Sequence, residues 1–205
     1  MRMSEYRVSD YLAEHQGNLF IISGPSGVGK GSINRAVAAH NDWVHLSISY
    51  TTRAMRPSEE EGKDYFFVSP DQFDRMVTEG AFLEYAIVHD GSYGTPLLLI
   101  EQKLSAGYTV ILEIDVQGAV QVLRHRPDAV SIFLLPPSME VLEQRLRVRG
   151  QNSEESIRRR LETAYQEIQE CYKYDYVVIN DVLDESIDRV RAIMLAERCR
   201  VKKQK

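Results

Sequence analysis

Short, unbroken apolar runs alternate along the chain with segments whose apolar residues recur at helical spacing. The runs cover residues 19–23, 109–115, 130–135 and 176–179. Because polar residues do not alternate within them, they predict strands buried on both faces of a parallel sheet. Helical spacing recurs at Met139, Leu142 and Leu146, at Ile157, Leu161, Ala164 and Ile168, and at Ile187, Val190 and Met194. This order predicts an α/β fold with right-handed crossovers and helices on both faces of the sheet.

Residues 49–96 interrupt the alternation. They contain four tyrosines, four glycines and strand-like pieces at 64–68 and 82–88, with a helix expected at about 70–79. We therefore predict a small, mostly β insertion in a core that spans 18–48 and 97–205. Within the core, a helical lid is expected at about 138–170, with the polar stretch 149–153 at its tip. Residues 1–17 lack the apolar segment of a signal peptide and are interpreted as an N-terminal extension.

Composition narrows the classes of function. The 205 residues suit one domain with an insertion, and no run of 18 apolar residues predicts a membrane span. The 25 Lys and Arg against 30 Asp and Glu give a net charge of −5, which disfavours a general nucleic-acid binder. A polyanionic ligand would therefore need locally clustered arginines. Cys171, Cys199 and the scattered histidines have no metal-ligand spacing, so we expect reduced thiols, a cytoplasmic location and no metal–histidine site.

The strongest local motif is Gly-Pro-Ser-Gly-Val-Gly-Lys at residues 24–30, between a predicted strand and a helical stretch. This is the context of a P-loop, in which backbone N–H groups and a helix N-terminus hold phosphate oxygens. Lys30 would reach the β- and γ-phosphates. The alternative is an ordinary glycine-rich turn with a surface lysine.

The end of this loop departs from the commonest pattern. Gly31 stands where a Ser or Thr usually contacts magnesium, and the hydroxyl follows at Ser32. Adenylate-type nucleotide kinases carry the same ending, so the loop is not broken by it. We therefore assign no direct metal ligand, and expect magnesium to arrive with ATP and to lie near Ser32 through a water.

Five further motifs follow, and four of them lie in the insertion. Arg53 and Arg56 are spaced to hold a phosphate dianion, although two solvated loop arginines are the alternative. The motifs are SYTTRAMRP (49–57), GKDYFFV (62–68), FLEYA (82–86), YGTP (93–96) and ILEIDVQGA (111–119). With the P-loop, they make the chain resemble the guanylate kinases, P-loop nucleoside monophosphate kinases that transfer phosphate from ATP to GMP. The resemblance runs from about residue 18 to 195.

The resemblance implies a parallel-sheet P-loop NTPase core, a GMP-binding insertion and a helical lid, with ATP, GMP and Mg²⁺ as ligands and dGMP as a second substrate. It assigns guanine contacts to Ser49, Glu84, Thr95 and Asp115, and GMP phosphate contacts to Arg53, Arg56, Tyr65 and Tyr93. It assigns ATP to Gly24, Pro25, Ser26, Gly27, Val28, Gly29, Lys30, Gly31 and Ser32, and the adenine to Asn180.

Chemistry supports the guanine assignment, because guanine presents N–H donors at N1 and N2 and needs acceptors such as two ionised carboxylates. Three alternatives stay open. Glu84 would otherwise be a surface residue on an alternating strand. Asp115, or Glu113, would otherwise be a strand-end carboxylate serving magnesium. Asn180 would otherwise be a turn residue at the end of a strand.

Six arginines crowd between residues 145 and 160. Arg147, Arg158 and Arg159 each follow a glutamate by four residues, the spacing of helical ion pairs with Glu143, Glu154 and Glu155. Arg145, Arg149 and Arg160 have no acidic residue three or four positions away, and the resemblance assigns these same three to the lid. With Lys30 and Arg53, they are the expected catalytic residues, which would stabilise charge during in-line phosphoryl transfer.

Two other functions are compatible with a glycine-rich loop of this type. Guanylate-kinase-like domains of scaffold proteins bind proteins without catalysis, but their P-loops are usually damaged and this one is intact. A P-loop kinase acting on a sugar phosphate would have no use for the guanine-matching set. No nucleic-acid or membrane partner is expected, and the sequence leaves the oligomeric state open.

Overall fold

Nine strands form two separate sheets in the computed structural model, which describes residues 17–57, 59–88, 91–148 and 153–200. In chain order the elements are β1 (Leu19–Ser23), α1 (Lys30–Ala39), β2 (Val44–Leu46), β3 (Tyr50–Thr51), β4 (Phe66–Phe67), α2 (Pro70–Thr78), β5 (Phe82–Val88), β6 (Gly91–Pro96), α3 (Leu97–Ser105), β7 (Thr109–Glu113), α4 (Val116–His125), β8 (Val130–Leu135), α5 (Met139–Val148), α6 (Glu154–Ile168), a 3₁₀ turn (Cys171–Lys173), β9 (Tyr176–Ile179) and α7 (Leu183–Arg198). No helix within the described ranges is both long and apolar enough to cross a membrane.

The larger sheet is parallel throughout and has the strand order β2-β7-β1-β8-β9. Its central strand, β1, is buried along its whole length. Phe20 and Ile22 pack in one apolar cluster with α1 and α7, whereas Leu19 and Ile21 pack in another with α3 and α4. The predicted α/β fold with helices on both faces of a parallel sheet is therefore confirmed.

The smaller sheet has the order β4-β3-β6-β5 and lies within residues 49–96. Strands β5 and β6 form an antiparallel pair with an irregularity between Phe82 and Glu84. Phe73 of α2 stacks on Phe82 with ring centroids 4.7 Å apart, which covers the sheet with the helix. One contact to the core is the Gln121 amide of α4, which donates to the Tyr85 carbonyl at 3.1 Å.

Helices α5 and α6 form an antiparallel pair with a small core of their own. Leu142, Leu146 and Ala164 are fully buried there against Met139 and Leu161. Ser153 begins α6 as its N-cap, accepting a hydrogen bond from the Ser156 amide. This pair occupies most of the segment predicted as a lid.

Three of the four apolar runs match strands β1, β8 and β9, and the fourth is shorter than predicted. β7 ends at Glu113 because Asp115 already caps the next helix. The strand expected at 64–68 is reduced to Phe66–Phe67. Strands β2 and β3 were not predicted.

Of the predicted N-terminal extension, the structure describes only Gly17, whose amide donates to the Leu104 carbonyl of the core at 2.8 Å. Residues 1–16 and the lid tip at 149–152 lie outside the described residues. The domain boundaries stay predictions.

Candidate functional site

The glycine-rich loop at residues 24–29 joins β1 to the first residue of α1, Lys30. Gly27 and Gly29 have φ of 89° and 104°, a region that side chains other than glycine rarely adopt. The loop therefore curves so that α1 begins directly behind it. The first N–H groups of a helix have no partner within the helix and suit an anion, which makes this a site for phosphates.

The Lys30 ammonium lies inside this curve. It donates to the carbonyl oxygens of Gly24 and Pro25, the latter at 3.3 Å. Gly31 and Ser32 continue the first turn of α1, and Ser32 is exposed. The structure thus gathers the loop amides, the ammonium and a hydroxyl at one helix N-terminus.

Two lid arginines reach this loop. Arg145 lies 3.5 Å from the Val28 carbonyl and 3.4 Å from the Asp181 carbonyl, and Arg160 donates to the Ser26 hydroxyl at 3.0 Å. A side chain on Gly27 would collide with Leu146, so the lid helix packs directly on the loop. Arg149, the third arginine of this predicted set, lies outside the described residues.

The arginines predicted to form ion pairs do so, with one correction. Arg147 contacts Glu143 at 2.7 Å and Arg159 contacts Glu155 at 3.0 Å. Arg158 was assigned to Glu154, but its partner is Glu162 at 3.8 Å. Glu154 instead contacts Arg147 across the two helices at 2.5 Å, because the last turn of α5 lies beside the first turn of α6.

Asn180 follows β9 and is 4% exposed. Its amide donates to the Val28 carbonyl at 2.7 Å, which ties the end of the sheet to the loop. Its other side-chain atom, Oδ1, is buried without a hydrogen-bond partner among the described residues. Asn180 therefore supports the loop, and its predicted contact with adenine stays a prediction.

In the insertion, Arg53 is the centre of the predicted phosphate-binding set. Its Nε donates to the Tyr93 hydroxyl at 3.2 Å, and its guanidinium lies 5.4 Å from the centroid of the Tyr65 ring. The rings of Tyr65 and Tyr93 meet edge to face, and burial raises the pKa of Tyr65 to about 12. The Tyr65 phenol therefore remains a neutral donor at physiological pH.

Glu59, which no sequence pattern indicated, occupies most of the guanidinium fork of Arg53. Its two oxygens accept from Arg53 at 2.8 and 3.0 Å, and one of them also accepts from the Arg56 amide at 2.9 Å. The bonds with Arg53 lower the pKa of Glu59 and raise that of Arg53. The Arg56 guanidinium is exposed, 3.9 Å from Glu59, and Ser49 lies just before β3.

Three of the predicted base-reading residues, Glu84, Thr95 and Asp115, lie where β5 and β6 approach α4. Glu84 is 6% exposed, and its Oε1 accepts a short hydrogen bond from the buried hydroxyl of Thr95. Burial, opposed by the Thr95 bond and reinforced by Asp115, raises the pKa of Glu84 to about 7. Glu84 therefore ionises near neutral pH rather than well below it, and the ionised form expected from the sequence prevails as the pH rises.

Asp115 also has a structural role, which was not predicted. It is the N-cap of α4, and its Oδ1 accepts from the Gly118 amide at 2.8 Å. Glu113, the alternative magnesium carboxylate, accepts from the buried Asn34 amide of α1 at 3.0 Å. Among the described residues, no three His, Cys, Asp or Glu side chains are grouped to hold a metal ion.

Glu167 of α6 was also missed, and it lies two turns after Arg160. Burial raises its pKa to about 7, while the nearby Lys30 ammonium acts in the opposite direction. Only its position seven residues beyond Arg160, on the same face of a helix, could have indicated this placement. Helix α6 therefore brings both an arginine and a carboxyl group to the glycine-rich loop.

Known proteins provide an independent comparison. The family model described as guanylate kinase matches residues 16–197. A guanylate kinase of Caldanaerobacter subterraneus subsp. tengcongensis is 50% identical over 93% of this chain and 92% of its own. One of Xylella fastidiosa is 47% identical over 93% of each chain. The crystal structure of guanylate kinase from Anaplasma phagocytophilum superposes with a TM-score of 0.77, at 35% identity, over 91% of this chain and 89% of that one.

Proposed function

Because this chain belongs to the guanylate kinase family and transfers a phosphoryl group from ATP to GMP, we propose that three groups of its residues divide that reaction. The glycine-rich loop would hold ATP, the insertion would hold GMP, and the lid arginines would act between them. The observation that carries this proposal is the contact of Arg145 and Arg160 with the loop, while Arg147 and Arg159 contact glutamates instead.

On the ATP side, the loop amides and the N-terminus of α1 would bind the β- and γ-phosphates together with Lys30. Arg145, Arg149 and Arg160 would then stabilise the charge that spreads over the transferring phosphoryl group. Phosphoryl transfer requires mainly such positioning and charge stabilisation. A general base is unnecessary, since a phosphate oxygen of GMP is already ionised near neutral pH.

Magnesium belongs to the proposal as a partner of ATP. Because the described residues offer no cluster of metal ligands, the donor set fits an ion that keeps waters and phosphate oxygens as most of its ligands. Ser32, on the first turn of α1, would contact one of those waters. When bound, the ion would neutralise charge on the phosphates.

On the GMP side, Arg53, Arg56, Tyr65 and Tyr93 would hold the phosphate, and Ser49, Glu84, Thr95 and Asp115 would read guanine. Glu84 has one oxygen on Thr95, so its second oxygen is the one offered to the N–H donors of the base. Asp115 likewise keeps one oxygen on its helix and offers the other. Adenine would place a lone pair against these acceptors.

Two finer points complete the proposal. The substrate range would include dGMP, because the proposed contacts reach the base and the phosphate and none is assigned to the ribose. The location would be the cytoplasm, since the free thiols of Cys171 and Cys199 suit a reducing compartment.

A steady-state assay with Mg–ATP and a panel of acceptors tests the proposal. The panel contains GMP, dGMP, IMP, AMP and a sugar phosphate. We expect kcat/KM for AMP to be lower than for GMP by roughly 10⁴–10⁵, the discrimination typical of a site built to hydrogen-bond one base. IMP, which lacks the 2-amino group, should fall about 10–10² below GMP.

A variant sharpens the assay. Glu84→Gln should narrow the difference between GMP and AMP, because an amide can donate to adenine where a carboxylate only accepts. Equal turnover of AMP and GMP by the unaltered protein, or a Glu84→Gln variant with unchanged ratios, would contradict the assignment. Binding of GMP without any turnover would instead indicate a non-catalytic domain.

A further inference from the structure

The first turn of α4 brings a glycine against the proposed base-reading carboxylate. Gly118 is buried, and a Cβ built on it would lie 2.8 Å from Glu84 Oε2 and 3.2 Å from Glu84 Cδ. Real Cβ atoms essentially never come this close to an oxygen. The Glu84 carboxylate therefore occupies the space that any other residue at position 118 would fill.

Two contacts fix where the carboxylate lies. Its Oε1 is bonded to Thr95, which is 1% exposed, and Glu84 itself is 6% exposed. The amide of Gly118 is in turn the group that fixes Asp115, at 2.8 Å. Both carboxylates proposed to read the base are thus positioned around the same residue.

We propose that Gly118 is a specificity-determining position for the base, because the absence of a side chain there sets where the Glu84 carboxylate meets guanine. This inference rests on the proposed function of Glu84. It adds a residue that need not touch the nucleotide and that acts through another side chain, so Gly118 is a positioning residue.

Gly118→Ala should affect base recognition rather than stability, unlike a substitution that overpacks an apolar core. The atom in the way is the end of a flexible side chain, so the fold can adapt by moving the carboxylate. Alanine also suits a helix better than glycine does, which favours folding of the variant. Gly118→Ala should therefore leave the thermal unfolding midpoint unchanged or higher while it displaces the group that reads the base.

The experiment measures kcat and KM for GMP, IMP and ATP with Gly118→Ala. We expect KM for GMP to rise on the order of ten- to a hundredfold, the range for one lost hydrogen bond to a charged group. KM for ATP should stay unchanged, and the ratio of kcat/KM for GMP to that for IMP should fall. The matched control is Gln117→Ala, one residue earlier and exposed, which should behave like the unaltered protein.

A second variant tests the geometry directly. Glu84→Asp shortens the acidic side chain by one methylene, which should weaken GMP binding when Gly118 is present. In the Gly118→Ala background, the shorter carboxylate avoids the collision, so the same change should cost much less or restore binding. This double variant also keeps the test valid if Gly118→Ala alone folds poorly.

The outcomes separate this inference from the proposed function. A protein that does not phosphorylate GMP before any substitution would overturn the proposed function. Normal GMP turnover with an unaffected Gly118→Ala variant, an increased KM with an unchanged GMP-to-IMP ratio, or simple additivity with Glu84→Asp would overturn the inference alone.

Discussion

Arginines approach the candidate site from the lid and from the insertion, and the two regions hold them differently. Arg145 and Arg160 meet the glycine-rich loop through carbonyl and hydroxyl oxygens, which carry no net charge. Arg53 in the insertion has a carboxylate in its fork, and four hydrogen bonds already use its N–H groups. A guanidinium that leaves a neutral partner for a phosphate loses less than one that leaves a carboxylate.

This difference indicates separate tasks. The lid arginines can transfer their hydrogen bonds to phosphates as charge develops, so they should affect kcat. Arg53 keeps its position through Glu59 and Tyr93, so it should affect the binding of GMP more than turnover. The expectation that Arg53 and the lid arginines act alike is thereby sharpened into two distinguishable roles.

The largest expected effect is at Lys30, in the loop that the lid contacts. Lys30→Ala should lower kcat by several hundredfold or more, since loss of one charge-stabilising donor typically costs about 10²–10³. Circular dichroism should show an unchanged fold. Lys63→Ala, at an exposed lysine of the insertion paired with Glu60, serves as the control and should retain full turnover. Unimpaired turnover of a folded Lys30→Ala variant would contradict the assignment of the loop.

The lid arginines come next. Arg145→Ala and Arg160→Ala should each lower kcat by about 10–10², the scale of one or two charged hydrogen bonds. Arg158→Ala and Arg159→Ala remove exposed ion pairs, worth about 0.3–0.5 kcal/mol each, and should leave kcat near normal. Arg147→Ala should affect lid stability more than turnover, because Arg147 links α5 to α6. Equal losses in the two groups would mean that their partners carry no functional information.

The third test separates the regions by pH. Because burial raises the pKa of Glu84 to about 7 and guanine requires the ionised form, GMP binding should weaken as the pH falls below 7. Between pH 8 and pH 6, KM for GMP should rise about tenfold from this group. In the lid, burial also raises the pKa of Glu167 to about 7, but Glu167 lies near Lys30 on the ATP side, so KM for GMP is the quantity that reports on Glu84.

The control for the pH test is Glu84→Gln. The GMP phosphate also titrates, with a second pKa near about 6, and contributes to the profile of every variant. Glu84→Gln should keep only that contribution. If its profile matches that of the unaltered protein, the pH dependence does not arise at Glu84.

The smallest effect is expected at Glu59. Glu59→Gln removes the charge that orients Arg53, and should raise KM for GMP by roughly three- to tenfold with little change in kcat, as one hydrogen bond to a charged group is weakened. Glu60→Gln, next to it and exposed, is the matched control. A lower KM for GMP would show instead that Glu59 competes with the phosphate for Arg53.

Contiguous features of the chain were predictable. The loop at 24–30 is a strand, a turn and a helix in immediate succession, so its type could be deduced without knowing the rest of the fold. β1, β8 and β9 were predicted to the residue because unbroken apolar runs carry no competing pattern. The predicted burial on both faces is wrong for β9, because it is an edge strand and leaves Val177 and Ile179 exposed. β2 was missed because its three residues, Val44–Leu46, include a histidine and are too few to show a pattern.

The ion pairs show where local spacing stops being sufficient. The pairs of Arg147 and Arg159 followed from a spacing of four residues, but Arg158 has a glutamate four residues away on both sides. The tertiary structure determines which glutamate Arg158 contacts, because it places Glu154 beside Arg147 of the other helix and leaves Glu162 for Arg158. A helical ion pair is too weak to resist such a contact.

By itself, the sequence determined the fold class, the phosphate-binding loop, the resemblance and which arginines lack helical partners. Only the tertiary structure decided that Glu59 holds Arg53, that Asn34 holds Glu113 and that Glu84 lies against Gly118 with its pKa raised. The physical reason is the distance along the chain over which each effect acts. Periodicity and turn chemistry act between neighbours in the chain, whereas burial, pKa and side-chain collisions depend on which distant residues share the same space.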